Sequence, residues 1–280
     1  MRTQLESRLL TVSLEASRVA ATVSEWEQAE IDRSEFEAAH TPPERLIASE
    51  PNVARYMNPP RDTAYPLEYA FALLGDICGK TVLDFGCGSG ENSLLLARRG
   101  ARVVGLDISR ALLSLASRRL ALNGLGDCAE FVVGSAHKLP LPDASVDAVV
   151  GIAILHHVDL KEAASEIHRV LKPGGRAIFQ EPVRDSAAVR VLRKMIPYRS
   201  PDVSPFERPL TTRELREFAR RFTIRAWRAF ALPFVSVTWA VPALRRYIHQ
   251  AYEVDKRLLG AMTWLSRFGS IRVIAIDKST

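Results

Sequence analysis

Residues 82–97 read VLDFGCGSGENSLLLA. An apolar run stops at three glycines, Gly86, Gly88 and Gly90, and a Leu-rich run follows. That is the pattern of a strand, a tight turn and a helix. Glycines in such a turn let backbone N–H groups approach a ligand closely, at the positive end of the helix that begins there. Asp84 stands two residues ahead of the first glycine. A carboxylate therefore lies under the turn.

The same rhythm recurs downstream. TVLDF (81–85), ARVVGLD (101–107), AEFVVG (129–134), VDAVVGIAIL (146–155) and RAIFQEP (176–182) read as strands. SRALLSLASRRLALNG (109–124) reads as a helix with Ser109 as its N-cap and Gly124 at its end. LKEAASEIHRVLKPGG (160–175) reads as another, closed by Pro and Gly. Strands alternating with helices predict an α/β fold with a mostly parallel sheet covered on both faces. Beyond residue 181 the rhythm breaks. TTRELREFARRF is a helix, FTIRAWRAF a sixth strand and IRVIAID a seventh.

Ligands of open parallel sheets sit beyond the carboxyl ends of the strands. Here the glycine spacing is G-x-G-x-G, not the G-x-G-x-x-G of dinucleotide sites. A pyrophosphate is repelled by a carboxylate such as Asp84, whereas an ammonium is attracted. Asp107 ends the second strand, where a carboxylate accepts hydrogen bonds from ribose hydroxyls. A ribose and a cationic, amino-acid-like end together describe S-adenosylmethionine.

From about residue 50 to 180 the chain resembles a class I S-adenosylmethionine-dependent methyltransferase of the ubiquinone/menaquinone-biosynthesis type. The resemblance rests on VLDFGCGSG, VVGLDIS, VVGSAHKLPLPDASVDAVVGIAILHHV and HRVLKPGGRAIFQEP. It implies a Rossmann-like methyltransferase fold. Asp84 and the turn Gly86, Cys87, Gly88 and Gly90 would hold the methionyl end. Asp107 would hold the ribose, Ile108 would pack on adenine, and Ser135 and Ala136 would flank the adenine edge. Many relatives have Asp where this chain has Ser135.

Transfer of an activated methyl is an in-line displacement, so positioning and exclusion of water supply much of the catalysis. A base is needed only where the nucleophile must lose a proton. The candidates at the ends of strands four and five are His156, His157 and Glu181. Glu181 has a competing structural role, as a cap or as a partner for Arg184, and one histidine of the doublet does too.

Residues 3–30 carry an apolar stripe from Leu5 to Trp26 at steps of four and three, expected to be helical. The favoured reading is a cap over the cofactor, with Tyr56 as a cofactor contact and Tyr65 beside it; a dimer seam is the alternative. The division expected is a helical cap over 1–66, a cofactor-binding core over 67–229, a helical lid insert over 230–268 and a last core strand over 269–280. The insert is expected to be lined by Phe230, Phe234, Trp239 and Trp264, which suits an apolar acceptor. A lid packed only on the core, and a peripheral membrane contact through Arg245, Arg246, Lys256 and Arg257, are the other readings.

The 280 residues are 47 % hydrophobic and 25 % charged, a globular composition. Three cysteines without CxxC spacing argue against a disulfide framework and a structural zinc site, and no metal is expected. No secretory h-region is visible at MRTQLESRLL, so a cytoplasmic location is expected, with no integral membrane span. Net charge is −4 over residues 1–180 and +10 over 181–280. That asymmetry permits a nucleic-acid substrate. The end of strand four, however, lacks the N/D-P-P-Y/F of base-methylating enzymes, and Asn58-Pro59-Pro60 reads as a turn. The expected partner is a small-molecule acceptor, not nucleic acid, methylated on O, N or C by a monomer or homodimer. A nucleic-acid methyltransferase and a non-catalytic S-adenosylmethionine-binding protein are the rivals.

Overall fold

The structure, a computed structural model, describes residues 25–185 and 209–280. The stripe from Leu5 to Val23 lies outside the described residues. What is seen of this region is a helix, α1 (Glu25–His40), which continues beyond the expected end at residue 30. Residues 31–40 extend it without an apolar stripe to read: Ser34 is the one buried residue of the helix among the described side chains. α1 rests on α5. Two short helices follow, α2 (Glu50–Met57) and α3 (Pro66–Leu74), each with proline in its first turn, where no intrahelical N–H is lost.

The core then alternates: β1 (Thr81–Phe85), α4 (Glu91–Arg98), β2 (Arg102–Asp107), α5 (Arg110–Leu122), β3 (Ala129–Val133), β4 (Val146–Ile152), α6 (Leu160–Val170) and β5 (Leu171–Pro182). Ser109 does cap α5, its hydroxyl accepting from the Leu112 N–H. Asp159 caps α6 in the same way. α6 ends at Val170, five residues before the expected boundary. Pro173 cannot extend the ladder of a helix, and Gly174 adopts φ +73°. The LKPGG segment is drawn instead into the start of β5.

After α7 (Thr212–Phe218) come β6 (Thr223–Phe230), α8 (Pro233–Ala240), α9 (Ile248–Ala261) and β7 (Ile271–Asp277). The strands form one sheet in the order β3-β2-β1-β4-β5-β7-β6. β1 to β5 are parallel, and β7 runs antiparallel to both β5 and β6. β6 therefore points the same way as β1–β5. The insert that leaves its end at Phe230 stands at the carboxyl end of the sheet, the end where the glycine turn lies.

Each face of the sheet buries its own core. One holds Phe71, Val82, Leu96, Val150, Ile178 and Phe230. The other holds Leu83, Phe85, Val149, Ile167, Phe179 and Phe218. Alternate residues of each strand supply the two sides, as a doubly covered sheet requires.

Candidate functional site

The turn after β1 is built on left-handed backbone. Gly88 has φ +50° and Gly90 φ +79°. A Cβ at Gly90 would fall 2.7 Å from the Ala116 Cβ of α5, so glycine there also permits the close approach of two helices. A Cβ at Gly88 would meet nothing within 4 Å. Its backbone faces an open cleft, a cradle for a ligand.

Gly88 N–H donates to Asp107 Oδ2 and Ser109 N–H donates to Asp107 Oδ1, each at 2.9 Å. The carboxylate at the end of β2 is thus fixed against the turn, with lone pairs left for a ligand. Burial pushes its pKa up against the pull of these N–H groups and of the Arg33 cation. Asp84 lies deeper, under the turn, 1 % exposed, and accepts from Ser93 Oγ at 2.6 Å. Burial, with Asp107 nearby, pushes Asp84 up to about 7. Cys87 is buried within the turn, and the same causes raise its thiol.

The cleft, about 200 Å³, joins Gly86, Gly88, Asp107, Ile108, Ala136 and His157. Ser135 stands at its edge, buried, its hydroxyl hydrogen-bonded to Glu27 Oε1 at 3.0 Å. Glu27 also approaches His137 Nδ1 at 3.3 Å. Glu27, Arg33, Ser34 and Glu37 bring one face of α1 over the cleft. None of them, nor His137, was singled out in the sequence. The signal was weak, because a covering helix over a polar site has no apolar stripe to read. Tyr56 takes no part in the cleft wall. Its ring packs on Phe71 at 5.4 Å, within the hydrophobic core. Tyr65 turns to the insert, its hydroxyl 2.7 Å from His249 Nδ1.

The three candidate bases separate. His157 lines the cleft. His156 is buried, and its ring borders a different groove together with Leu160, Lys161, Glu214 and Phe218. That groove is larger, about 820 Å³, but it contains neither the glycine turn nor Asp107. The smaller cleft is the one that brings the glycine turn and Asp107 together. Glu181 is 1 % exposed and holds the segment after β4: Oε1 accepts from the Ile154 and Leu155 N–H groups at 2.9 and 2.8 Å, and Oε2 pairs with His156 Nδ1 at 2.8 Å. Glu181 lines neither the cleft nor the groove, and it pairs with His156 in addition to capping the loop.

In the insert, Phe230 is buried among the core residues and faces Tyr69 at 5.5 Å. Trp239 and Trp264, expected to line a lid, are instead 58 % and 55 % exposed. Among the described residues no helix is long and apolar enough to cross a membrane.

The methyltransferase-domain family profile matches residues 83–179, the stretch from β1 through the greater part of β5. Residues 83–179 are a methyltransferase domain. The chain is 40 % identical over 107 residues to a demethylmenaquinone methyltransferase of Symbiobacterium thermophilum, a match covering 37 % of this chain and 43 % of that protein. The chain thus spans less than half the length of the curated relatives it matches first. Among solved structures, it is 27 % identical to an SAM-dependent methyltransferase from Methanosarcina mazei. That match has a TM-score of 0.54 and covers 77 % of this chain and 98 % of that one. A geranyl diphosphate C-methyltransferase from Streptomyces coelicolor A3(2) shares the fold at 22 % identity and a TM-score of 0.55, over 75 % of this chain and 77 % of that one. In this methyltransferase domain, the glycine turn and Asp107 both fall within the matched stretch.

Proposed function

We propose that the chain transfers a methyl group from S-adenosylmethionine to O, N or C of a small, apolar acceptor. The observation that carries this reading is the fixed pairing of Gly88 and Asp107 at the floor of one cleft. It presents a carboxylate for two ribose hydroxyls beside a backbone turn open to a ligand. The similarity to methyltransferases over the same residues supports it.

The residues present fit the cofactor. Asp107 would hold the ribose, Ile108 would pack on the base and Ala136, with Ser135, would flank its edge. Gly86, Gly88 and Gly90 shape the turn, with Cys87 packed beneath. Asp84 supplies negative charge toward the amino-acid end. Bound there, the cofactor supplies a methyl group already activated on a sulfonium. The chain's own residues orient the acceptor and exclude water. α1 closes the cleft through Glu27 and Arg33, and this explains why about 200 Å³ remains, less than the ~300 Å³ of typical small-molecule pockets.

His157 is the candidate base, since it alone of the three lines the cleft. Glu181 is a positioning residue. Its three hydrogen bonds fix residues 154–156 and so set where His157 stands. The insert, at the carboxyl end of the sheet, lies on the acceptor side.

The experiment is in two steps. Calorimetry with S-adenosylhomocysteine tests the cofactor. Turnover of S-adenosylmethionine against a panel of apolar metabolites, with tRNA and duplex DNA as comparison substrates, tests the acceptor. Methylation of nucleic acid alone, or binding without turnover of any acceptor, would contradict the reading.

A further inference from the structure

Seven of the eleven large hydrophobic residues exposed among the described residues lie within Pro233–Phe268. They are Val237, Trp239, Val241, Tyr247, Val254, Met262 and Trp264. A solvated surface has no reason to gather them in one short insert. The same segment carries Arg245, Arg246, Lys256, Arg257 and Arg267, against Glu253 and Asp255. Asp255 is fully buried, accepting from the Ala231 and Leu232 N–H groups at 3.0 and 2.8 Å, so it is removed from the surface. Lys256 is occupied by Asp62 at 3.1 Å. Four exposed arginines and one exposed acid remain.

The cations and the apolar groups are interleaved. Arg245 Nε donates to the Trp239 carbonyl at 3.1 Å. Arg246 lies over the Tyr247 ring at 4.8 Å, and Arg267 over Trp264 at 5.3 Å. On α9, Ala251 and Asp255 turn inward one helical turn apart, leaving Val254 and Arg257 on the exposed side. Aromatic rings and aliphatic side chains beside guanidinium groups match the boundary between acyl chains and anionic headgroups.

We propose that the Pro233–Phe268 insert is a docking surface for a negatively charged lipid bilayer, on which the protein lies without crossing it. Charge complementarity selects this occupant. A second copy of the chain, seated symmetrically, would set arginines against arginines. A nucleic acid would meet the arginines but leave Val237, Val241, Val254 and Met262 without an apolar partner. Because the insert stands at the carboxyl end of the sheet, docking brings the acceptor side of the domain to the lipid.

The test uses the full chain and sedimentation with vesicles of phosphatidylcholine alone or mixed with phosphatidylglycerol. Binding is expected to the mixed vesicles, to weaken as salt rises, and to be far poorer with phosphatidylcholine alone. Trp239→Ala/Trp264→Ala and, separately, Arg245→Glu/Arg246→Glu should each weaken it about tenfold or more. Unchanged S-adenosylhomocysteine affinity shows that the variants are folded, and keeps this test separate from the cofactor reading. No binding to either vesicle would overturn the proposal. So would undiminished binding by both variants, or a dimer in light scattering that the tryptophan variant alone dissolves.

Discussion

His156 Nδ1 and Glu181 Oε2 are joined at 2.8 Å in the interior, while the next residue, His157, faces the cleft with its ring 4.1 Å from that of His156. Two adjacent histidines thus have different environments, and a substitution at each has a different consequence.

His157→Ala should lower turnover by about 10²–10⁴-fold if the acceptor must lose a proton, with little change in cofactor affinity. Glu181→Gln should act on stability first. It retains an acceptor for the Ile154 and Leu155 N–H groups but weakens a charge-assisted bond, so a loss of about 1–3 kcal/mol is expected in denaturant unfolding. His156→Ala should follow Glu181→Gln. Equal, mild effects of all three on turnover would mean that positioning alone carries the reaction.

Asp84 is expected to make cofactor binding depend on pH. Its pKa in the protein is about 7, raised by burial above the ordinary carboxyl value of about 4. Between about pH 4 and 7 the folded chain holds a proton that the unfolded chain has released. The sign follows: this group costs stability as pH rises through that window, and the cost is constant above it. A ligand ammonium favours the ionised form. Affinity for S-adenosylhomocysteine should therefore fall by up to about tenfold per pH unit below 7, with proton release visible in buffers of different ionisation enthalpy. Asp84→Asn should flatten that dependence.

Glu27 of α1 meets Ser135 at the edge of the cleft. The Ser135 hydroxyl donates to the Glu27 carboxylate at 3.0 Å. A carboxylate there accepts from an exocyclic amine. Glu27→Gln should weaken S-adenosylhomocysteine about tenfold but leave the 6-oxo analogue S-inosylhomocysteine nearly unaffected. Equal losses for both would place Glu27 away from the base.

Asp255 ties the insert to the core. Ala231, at φ +60°, is a non-glycine residue in left-handed backbone, and its N–H and that of Leu232 both donate to Asp255. Asp255→Ala leaves two buried donors unpaired, a cost of about 1–3 kcal/mol each. Protease cleavage within Pro233–Phe268 should appear before global unfolding.

The sheet was legible because its information is local. TVLDF and IRVIAID coincide with β1 and β7, and Ser109 is the cap it resembles. The glycine turn and Asp107 were legible for the same reason: spacing on adjacent strands fixes their meeting. α1 over the cleft was not, since its bond to Ser135 and the charge of Arg33 near Asp107 are long-range and polar, and no periodicity encodes them. Tyr56 packs on Phe71, because an aromatic near a proline-rich connector serves a core as readily as a ligand. Trp239 and Trp264 were read as lining a lid, because apolar character alone does not say which side of a helix faces solvent.

The central claim is that the cleft between Gly88 and Asp107 binds S-adenosylmethionine. Calorimetric titration of S-adenosylhomocysteine into the wild-type chain and Asp107→Ala tests it most directly. The account predicts one site in the wild type and a loss of about 1.5–3 kcal/mol per ribose hydrogen bond, at most, in the folded variant. Absence of binding by the wild type, equal affinity in the variant, or a preference for NAD would contradict it.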